Sequence, residues 1–514
     1  LLFGVTGSGK TEVYLRLIEK ALCRGKKAIM LVPEIALTPQ MLRQLRHRFG
    51  DKVSILHSGL SAGERYDEWL RLKTGEAVIA IGARSAIFAP LDELGIIIID
   101  EEHESSYEAE TAPRYKTLEV ALKRAEFSDC KLILGSATPS IESYGKAVEG
   151  EYELVKLKNR INGNALPEII VSDMRREIRN GNESAFSSDL KNELTKCLKN
   201  GNQAILFLNR RGYSQQVICR DCGYVAKCNN CDITLNYHKD SGLLKCHYCN
   251  ASYKPLSACP ECGSVNLGYL GTGTQKIVDA LNKYFPDAKI LRMDNDTTST
   301  KEGHFRILKE FSEHKADFLV GTQMVAKGHD FPSVTLVGII DADMSLYFSD
   351  YRSSERTFQL ITQVAGRSGR ADKSGKVVLQ TFNPDNAVLR YAINYDYEGF
   401  FKRENALRRS TGFPPYALIL RVMVEAEDDD AALEGLKKVY TGVLPIYEKY
   451  RENFLFFNKM RSPVKRIKNK YRYQLLARLT GDYEAAKNEI YEKSLICKTP
   501  KVLVYIEEDP GSLN

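Results

Sequence analysis

The chain has 514 residues, of which 43% are hydrophobic and 27% are charged, a composition that excludes a disordered or fibrous protein and indicates several globular domains. Its most apolar run, Leu94 to Ile99, has only the length of a strand, which argues against a membrane span. The net charge of +7, from 73 bases and 66 acids, is a weak indication of a polyanionic partner. The chain begins at Leu1 without Met or a signal-like segment, and its first residues, LLF, resemble the tail of a strand, so we expect a fragment of a longer protein. Its scattered single cysteines suit a reducing cytoplasm.

The first predicted element is a short apolar strand, LLF, which leads into the glycine-rich segment GVTGSGKT. This segment matches the P-loop pattern, and a helix-like apolar periodicity follows it. In a P-loop the backbone N–H groups converge on phosphates, Lys10 reaches the β and γ phosphates, and the Thr11 hydroxyl ligates Mg²⁺. The sequence therefore predicts binding of ATP and Mg²⁺ by Gly4, Val5, Thr6, Gly7, Ser8, Gly9, Lys10 and Thr11.

A second strand, LGIIIIDEEH, is apolar on both faces and ends in acids. Ligands bind at the carboxyl ends of strands in open parallel sheets, so Asp100 and Glu101 are expected to face the nucleotide. We assign Asp100 to Mg²⁺, held through water, and Glu101 to the water that attacks the phosphate. His103 is placed to sense the nucleotide, and the segment Ser136-Ala137-Thr138, after a further strand, is of the kind that couples the nucleotide site to a second lobe.

Two segments of this first lobe are candidates for contact with DNA. Arg84 follows the strand AVIAIG, at a position that touches the nucleic-acid backbone in many motor proteins. The loop SSYEAETAPRYKT places Tyr107 and Tyr115 on either side of Arg114, and rings with a guanidinium suit unpaired bases. An ordinary polar turn and an ordinary surface loop are equally consistent with these two patterns.

A second α/β lobe is predicted after a polar linker at residues 161–185, beginning with the strand from Ala204 to Leu208. Near its end, TQVAGRSGR places Gln363, Arg367 and Arg370 on one side of a short helix. Arginines in such a position can reach across a cleft to the γ phosphate as arginine fingers. A solvated basic turn is the alternative.

Four Cys-x-x-Cys pairs lie within 44 residues of this second lobe, a spacing that indicates two zinc ions, each held by four thiolates. Neighbouring pairs could join in order. The gap of fourteen residues between the second and third pairs is close to the roughly 15 to 20 of a zinc ribbon and favours a nested arrangement. The predicted inner site is Cys228, Cys231, Cys246 and Cys249, and the predicted outer site is Cys219, Cys222, Cys259 and Cys262.

The C-terminal part carries no catalytic motif and is expected to form a small α+β domain. Its segment 459–478 holds eight bases and no acids, with tyrosines interleaved, which is typical of single-strand binding. A solvated basic strand pair is the alternative. The predicted DNA contacts here are Lys465, Arg466, Lys468, Lys470 and Tyr471.

The fold class predicted from these elements is α/β, with two P-loop (RecA-like) lobes, a double-zinc insertion in the second lobe and a C-terminal α+β domain. The predicted boundaries are 1–160 for the first lobe, 161–218 with 263–384 for the second, 219–262 for the insertion and 385–514 for the last domain.

In this order, GVTGSGKT, DEEH, GSATP, the cysteine-rich insertion, GTQMVAKGHDFP and QVAGRSGR resemble the PriA family (primosomal protein N′) of superfamily 2 DNA helicases. The resemblance covers essentially the whole chain, including GFPPY and the basic tail segment. It implies a bacterial, nucleoid-associated 3′→5′ DNA helicase that recognises stalled or abandoned replication forks and starts primosome assembly. It also implies DNA-coupling roles for Arg84 and the Tyr107–Tyr115 loop, the nested cysteine pairing, and as partners forked and single-stranded DNA, primosome proteins and single-strand-binding protein.

Two departures from the family limit what can be carried over. The family's N-terminal DNA-binding region, which reads the fork, has no counterpart in this sequence. Gln275 stands where many relatives carry an acid after Gly-Thr-Gly-Thr, so a role for that position does not transfer.

Two other functions stay open at this point. The chain could be an assembly platform whose ATPase is secondary, although the intact Asp100-Glu101 pair and both arginines argue against an inactive motor. It could also be a translocase that never separates strands, which strand separation on a forked substrate would distinguish.

Overall fold

The computed structural model describes the chain except for residues 34–38, 58, 110–112, 162, 164, 209–214, 230–233, 239–241, 247–250, 270–273, 295–300, 323–324, 326–330, 348–349, 370–374, 468, 512 and 514. The chain forms two compact units. The first comprises Leu1–Arg211, Gly271–Met344 and Arg356–Tyr397, and the second comprises Gly212–Leu270, Ser345–Glu355 and Glu398–Asn514.

The first unit begins with a lobe built on a seven-stranded parallel sheet of order β3-β4-β2-β5-β6-β1-β7. Its strands are β1 (Leu2–Gly4), β2 (Lys27–Leu31), β3 (Val53–Leu56), β4 (Ile79–Gly82), β5 (Leu94–Asp100), β6 (Lys131–Ser136) and β7 (Val155–Leu157). Its helices are α1 (Lys10–Leu22), α2 (Pro39–Phe49), α3 (Ala62–Thr74), α4 (Thr117–Ser128) and α5 (Ile141–Val148).

The isoleucine run of β5 is buried on both faces because helices cover both sides of this sheet. Ile96 and Ile98 pack in the cluster that contains residues of α1. Ile97 and Ile99 belong to the opposite cluster, which contains residues of α4. This alternation brings the acids that follow the strand to the carboxyl edge of the sheet.

A second lobe in the same unit has a six-stranded parallel sheet of order β15-β16-β9-β17-β18-β8. Its strands are β8 (Glu168–Asp173), β9 (Gln203–Leu208), β15 (Ile290–Met293), β16 (Phe318–Gly321), β17 (Val334–Ile340) and β18 (Lys376–Thr381). Its helices are α6 (Met174–Arg179), α7 (Ser188–Lys199), α8 (Thr274–Tyr284), α9 (Lys301–Ser312), α10 (Ser353–Ala365) and α11 (Ala387–Ile393).

The predicted linker at 161–185 is wrong over much of its length. Residues Glu168–Asp173 pair with β18 as the edge strand β8, and α6 follows directly. Edge strands are exposed on one side and tolerate polar residues, so their sequence resembles a linker. The second lobe therefore begins no later than Glu168, the first residue of β8.

The cysteine-rich insertion lies in the second unit and is an antiparallel sheet of order β13-β12-β11-β10-β14. Its strands are β10 (Gln215–Cys219), β11 (Asn236–His238), β12 (Leu243–Lys245), β13 (Ser252–Tyr253) and β14 (Leu267–Tyr269). The entering strand β10 pairs with the leaving strand β14, Cys219 opposite Leu267. Both ends of the insertion are therefore side by side.

The C-terminal domain is α+β, with an antiparallel sheet of order β20-β21-β19-β22 packed on two helices. Its strands are β19 (Leu418–Ala426), β20 (Phe454–Ile467), β21 (Lys470–Leu479) and β22 (Val502–Glu508), and its helices are α12 (Tyr397–Thr411), α13 (Asp429–Lys449) and α14 (Glu484–Ile496). The C-terminal part of the second unit begins at Glu398, because α11 belongs to the first unit.

A buried ion group is part of the second unit. The guanidinium of Arg408, which is 1% exposed, donates to Glu355 at 2.6 Å and to Glu404 at 3.3 Å. Burying these charges is tolerated because each is paired, and removing one partner would leave an uncompensated charge. Among the described residues, no helix is long and apolar enough to cross a membrane.

Candidate nucleotide site and metal centre

The P-loop connects the end of β1 to the first turn of α1. Gly7 and Gly9 have φ angles of 82° and 87°, in the left-handed region that favours glycine. The buried ammonium of Lys10 donates to the carbonyl of Gly4 at 2.8 Å, so it lies inside the curve of the loop. Thr11 follows it in the first helical turn.

The P-loop residues fit a nucleotide phosphate. Ser8 Oγ is buried and has no hydrogen-bond partner within the described part of the chain, which leaves it available to an incoming oxygen. The N-terminus of α1 points its free N–H groups and positive dipole end at the same place.

Asp100 ends β5 and is held by two tyrosines. The hydroxyl of Tyr14, on α1, donates to Asp100 Oδ1 at 2.9 Å, and the hydroxyl of Tyr107 donates to the Asp100 carbonyl at 2.8 Å. Burial, together with the negative charge of Glu101, raises the pKa of Asp100 to about 6. Because two neighbouring carboxylates are costly to ionise together, a bound cation would stabilise this site.

Glu101 and His103 follow in a tight turn, where Glu101 has a φ of 47°. His103 Nδ1 lies 3.7 Å from Glu101 Oε2 and 2.8 Å from Ser136 Oγ. Ser136 Oγ also accepts from the Thr138 N–H at 2.9 Å. The carboxylate assigned to the attacking water is thus joined to the serine-threonine segment after β6.

The segment after β6 contacts the second lobe, as its sequence predicts. Gln359 Nε2, on α10, donates to the Thr138 carbonyl at 3.4 Å. The hydroxyl of Tyr397 donates to the Pro139 carbonyl at 2.8 Å, and its ring lies 5.2 Å from that of Phe3. These bonds tie the site to both lobes.

The loop that follows α10 lies against the P-loop. A Cβ built on Gly366 would come within 3.0–3.2 Å of Thr6 side-chain atoms, so a larger residue would require Thr6 to shift by a few tenths of an ångström. Gln363 is in the last turn of α10 and Arg367 is the next residue after Gly366, both half-buried. Arg370 lies outside the described residues. The structure therefore places Gly366, the residue before one of the two predicted fingers, next to the phosphate loop.

The predicted DNA-contacting loop of the first lobe is only partly exposed. Tyr107 is 5% exposed and packs in the core, so a stacking role for it is wrong, and its hydroxyl supports Asp100 instead. Arg84 donates to the carbonyls of Ser106 and Glu108, at 3.3 and 2.9 Å. Arg114 is exposed.

Tyr115 remains accessible in the same loop. Its ring lies 5.1 Å from that of the exposed Phe88. Partial burial raises the pKa of its hydroxyl, which is bonded to Arg84. Tyr115, Phe88 and Arg84 thus form one partly exposed cluster.

Four cysteines come together at the base of the insertion. The Sγ atoms of Cys219, Cys222, Cys259 and Cys262 lie within 4.8 Å of one another. The pairs Cys219–Cys262 and Cys222–Cys259 are 3.6 and 3.5 Å apart. Four thiolates around one zinc ion at about 2.3 Å are separated by roughly 3.8 Å, so this group fits tetrahedral zinc. The residues are those predicted for the outer site.

The predicted inner site is described in part. Cys228 and Cys246 are buried in one hydrophobic cluster within the insertion. Cys231 and Cys249 lie outside the described residues. The inner set of ligands therefore stays a prediction.

The basic segment of the C-terminal domain is the hairpin of β20 and β21. Lys465, Arg466 and Lys470 lie at its tip, where Arg466 stacks on the Tyr471 ring at 4.8 Å. Lys468 is not among the described residues. The hairpin tip thus groups the bases that the sequence singles out.

Further from the tip, the bases of this hairpin have other roles. Arg461 pairs with Asp429 at 2.9 Å and Arg472 pairs with Glu425 at 3.0 Å. Tyr473 is 7% exposed and donates to Asp429. These residues stabilise the domain.

Sequence reasoning missed Tyr14 and Tyr397 as members of the site. Tyr14 lies one helical turn after Lys10, so the helical period after the P-loop could have placed it beside Asp100. Tyr397 carries no such signal, because its contact with Pro139 joins residues 258 positions apart.

Three family models match successive parts of the chain. The DEAD/DEAH box helicase model matches residues 1–146, and the helicase conserved C-terminal domain matches residues 271–372. The PriA DNA helicase Cys-rich region domain matches residues 228–254, which include all four predicted inner cysteines.

The curated relatives are named replication restart protein PriA. The one from Bacillus subtilis is 50% identical over 96% of this chain, and the chain spans 62% of it. Those from Haemophilus influenzae and Rickettsia felis are 38% and 36% identical, over 100% of this chain and over 70% and 78% of their own lengths. The predicted two-lobed helicase fold with a cysteine-rich insertion is confirmed, and the chain belongs to the PriA family of replication restart proteins.

Proposed function

We propose that this chain is the motor of an ATP-dependent 3′→5′ DNA helicase that acts at stalled or abandoned replication forks and starts primosome assembly. The observation that carries the proposal is the close approach of Gly366, which follows α10, to Thr6 of the P-loop, whose Lys10 lies near enough to Asp100 to lower its pKa. Fold alone does not define an activity, but a phosphate loop, an acid pair and an arginine loop around one site do support ATP hydrolysis coupled to lobe movement.

In the proposed reaction, Lys10 binds the β and γ phosphates and the P-loop amides orient them. Thr11 and Asp100 would hold Mg²⁺, which would supply positive charge to the phosphate oxygens. Glu101 takes the proton of the attacking water.

The second lobe completes the site when ATP binds. Arg367 and Arg370 stabilise the charge that develops on the transferred phosphoryl group, and Gln363 orients them. Each cycle of closing and opening shifts the lobes along one DNA strand. The contacts of Thr138 and Pro139 with α10 and Tyr397 transmit that movement.

DNA contacts are assigned to Arg84, Arg114 and Tyr115 in the first lobe and to the hairpin tip in the C-terminal domain. The zinc ions hold the insertion folded, as an attachment surface for primosome proteins and single-strand-binding protein. We propose four functional parts: the first lobe at 1–160, the second lobe at 161–218 with 263–384, the insertion at 219–262 and the C-terminal domain at 385–514.

The decisive experiment measures ATP hydrolysis with and without single-stranded DNA, alongside unwinding of a 3′-tailed duplex. We expect DNA to stimulate hydrolysis and ATP to drive unwinding. Stimulated hydrolysis without unwinding would favour the translocase, and hydrolysis indifferent to DNA would favour the assembly platform.

A further inference from the structure

Arg160, in the segment that leaves the first lobe, lies on the P-loop. Strand β7 pairs in parallel with β1, so the chain that leaves β7 runs beside the chain that leaves β1. The Val5 N–H donates to the Leu157 carbonyl at 3.2 Å, and the Ile161 N–H donates to the Gly7 carbonyl at 3.1 Å. Two backbone bonds therefore fasten this segment to the phosphate loop on either side of Arg160.

The side chain of Arg160 contacts both lobes. Its Cγ, Cδ and Nε atoms lie 3.8–3.9 Å from the position that a Cβ would take on Gly7. Its Nη1 donates to the Gly369 carbonyl at 3.2 Å. One guanidinium thus bridges the phosphate loop and the loop that carries Arg367.

Gly369 is a suitable point at which to hold that loop. Its φ of 67° turns the backbone sharply, and its N–H donates to the Val334 carbonyl at 3.3 Å. Because Gly366 contacts Thr6 and Gly369 contacts Arg160, the loop is held at both ends with Arg367 between them. An arginine stays charged at any physiological pH, so this bond is a charge-assisted one under all working conditions.

We propose that Arg160 is a positioning residue for hydrolysis: it holds the Gly366–Gly369 loop on the P-loop so that Arg367 reaches the γ phosphate. The inference rests on the proposed function of Arg367. Arg160 acts through that loop and not on the phosphate itself, so its loss lowers the rate of turnover more than the affinity for ATP.

The test compares single-stranded-DNA-stimulated kcat and KM for ATP in Arg160→Ala, Arg160→Lys, Arg367→Ala and the double variant Arg160→Ala/Arg367→Ala. Lys158→Ala, an exposed base in the same segment, is the matched control. We expect Arg160→Ala to lower kcat about tenfold, the effect of one charged hydrogen bond, with KM within about twofold and an unchanged Tm. Lysine retains a donor and should give an intermediate rate.

The double variant decides between a shared and a separate role. If Arg160 works through Arg367, the double variant is as slow as Arg367→Ala alone. The inference would be overturned if the loss of kcat in the double variant equalled the product of the two single losses. It would also be overturned if Arg160→Ala mainly raised KM, which would indicate direct phosphate binding. A defective Arg367→Ala beside a normal Arg160→Ala overturns this inference alone, whereas a fully active Arg367→Ala overturns the proposed finger as well.

Discussion

The carboxylate of Asp100 is buried beside a second acid and accepts from the Tyr14 hydroxyl, and the positive charge of Lys10 offsets only part of the cost of ionising it. Burial and the charge of Glu101 raise its pKa to about 6, so ionising it without a counter-ion costs free energy. A divalent cation would supply the missing positive charge. The site is thus less stable without its ligand than with it, as is common where residues are arranged for function.

The clearest test of the active-site assignment replaces Lys10 and Glu101 separately. We expect Lys10→Ala to abolish turnover, since it removes the charge that binds the phosphates, and Glu101→Gln to bind ATP but not hydrolyse it. Nucleotide binding by fluorescence and steady-state hydrolysis would separate the two effects. Lys20→Ala, an exposed lysine on the same helix, should behave as wild type. Full-speed hydrolysis by either active-site variant would place the chemistry elsewhere.

The buried carboxyl of Asp343 should make the free energy of unfolding depend on pH. It accepts from the Thr381 hydroxyl and the Phe382 N–H, each at 2.6 Å, yet burial raises its pKa to about 6 from 3.8. The folded state therefore binds the proton more tightly than the unfolded state, and this carboxyl lowers stability progressively as pH rises from about 4 to 6.

Asp343→Asn removes that titration, and chemical denaturation at pH 4.5 and 7.5 would measure it. Between pH 4.5 and 7.5, the unfolding free energy of the variant minus that of wild type should rise by about 2 kcal/mol. Asp287→Asn, an exposed acid of the same lobe, is the control. A difference that moves in the opposite direction would contradict the raised pKa.

At the residue scale, sequence reasoning identifies groups whose chemistry depends on a local pattern. The P-loop and the acids after an isoleucine strand are contiguous, so a short segment defines them. The prediction for Tyr107 is wrong because aromatic residues in a polar loop have the same pattern whether the ring faces solvent or the core. Arg160 carries no sequence signal, since its role depends on the pairing of β7 with β1, which joins distant segments.

At the element scale, the β20–β21 hairpin separates structural bases from those available to DNA. Bases near its root pair with acids of the same domain, whereas Lys465, Arg466 and Lys470 cluster at the tip. Reversing these three to Glu should weaken single-strand binding and flatten its salt dependence, by roughly 0.7 ions for each phosphate that is no longer neutralised.

Titrations at several salt concentrations would measure this change. Reversal of Lys438, Lys493 and Lys498, which are exposed on and beside the helices of the same domain, is the charge-matched control. If the tip variant binds single-stranded DNA with the same salt dependence as wild type, the bases of the hairpin tip do not contact DNA.

The two predicted zinc sites of the insertion can be tested by removing the metal and by replacing one ligand. Because structural zinc contributes folding energy, chelation should unfold residues 219–262 and leave ATP binding by the first lobe intact. Cys262→Ser should lower the zinc content from about two ions per chain to about one, whereas Cys23→Ser, outside the insertion, should not change it. Metal analysis with limited proteolysis would measure both, and a wild-type content of one ion would contradict the two-site prediction.

Elements with a strong apolar period are predictable from the sequence, and edge elements are not. Strand β9 is expected at Ala204 to Leu208 and is found at Gln203–Leu208, because its residues are buried on both faces. Strand β8 pairs with a neighbouring strand on one side only, so it carries polar residues and its sequence resembles a linker. The order of the strands in each sheet is a non-local property that no short segment contains.

At the scale of the whole molecule, the direction of movement is the property that residues alone do not define. If the lobes step as proposed, a duplex with a 3′ single-stranded tail should be unwound in an ATP-dependent manner, and one with a 5′ tail should be unwound far more slowly. A blunt duplex of equal length serves as the control. Preference for the 5′ tail would reverse the assigned polarity while leaving the ATPase site untouched.

The pairing of β10 with β14 has a consequence for how the chain can vary. The cysteine-rich insertion enters and leaves at neighbouring points, with Val217 opposite Tyr269 and Cys219 opposite Leu267. A segment whose ends already meet can be lengthened, shortened or exchanged at little more than the entropy of closing a loop. Relatives could therefore acquire different attachment surfaces at this one position, and a graft of the ribbon onto another hairpin should keep its metal and its fold.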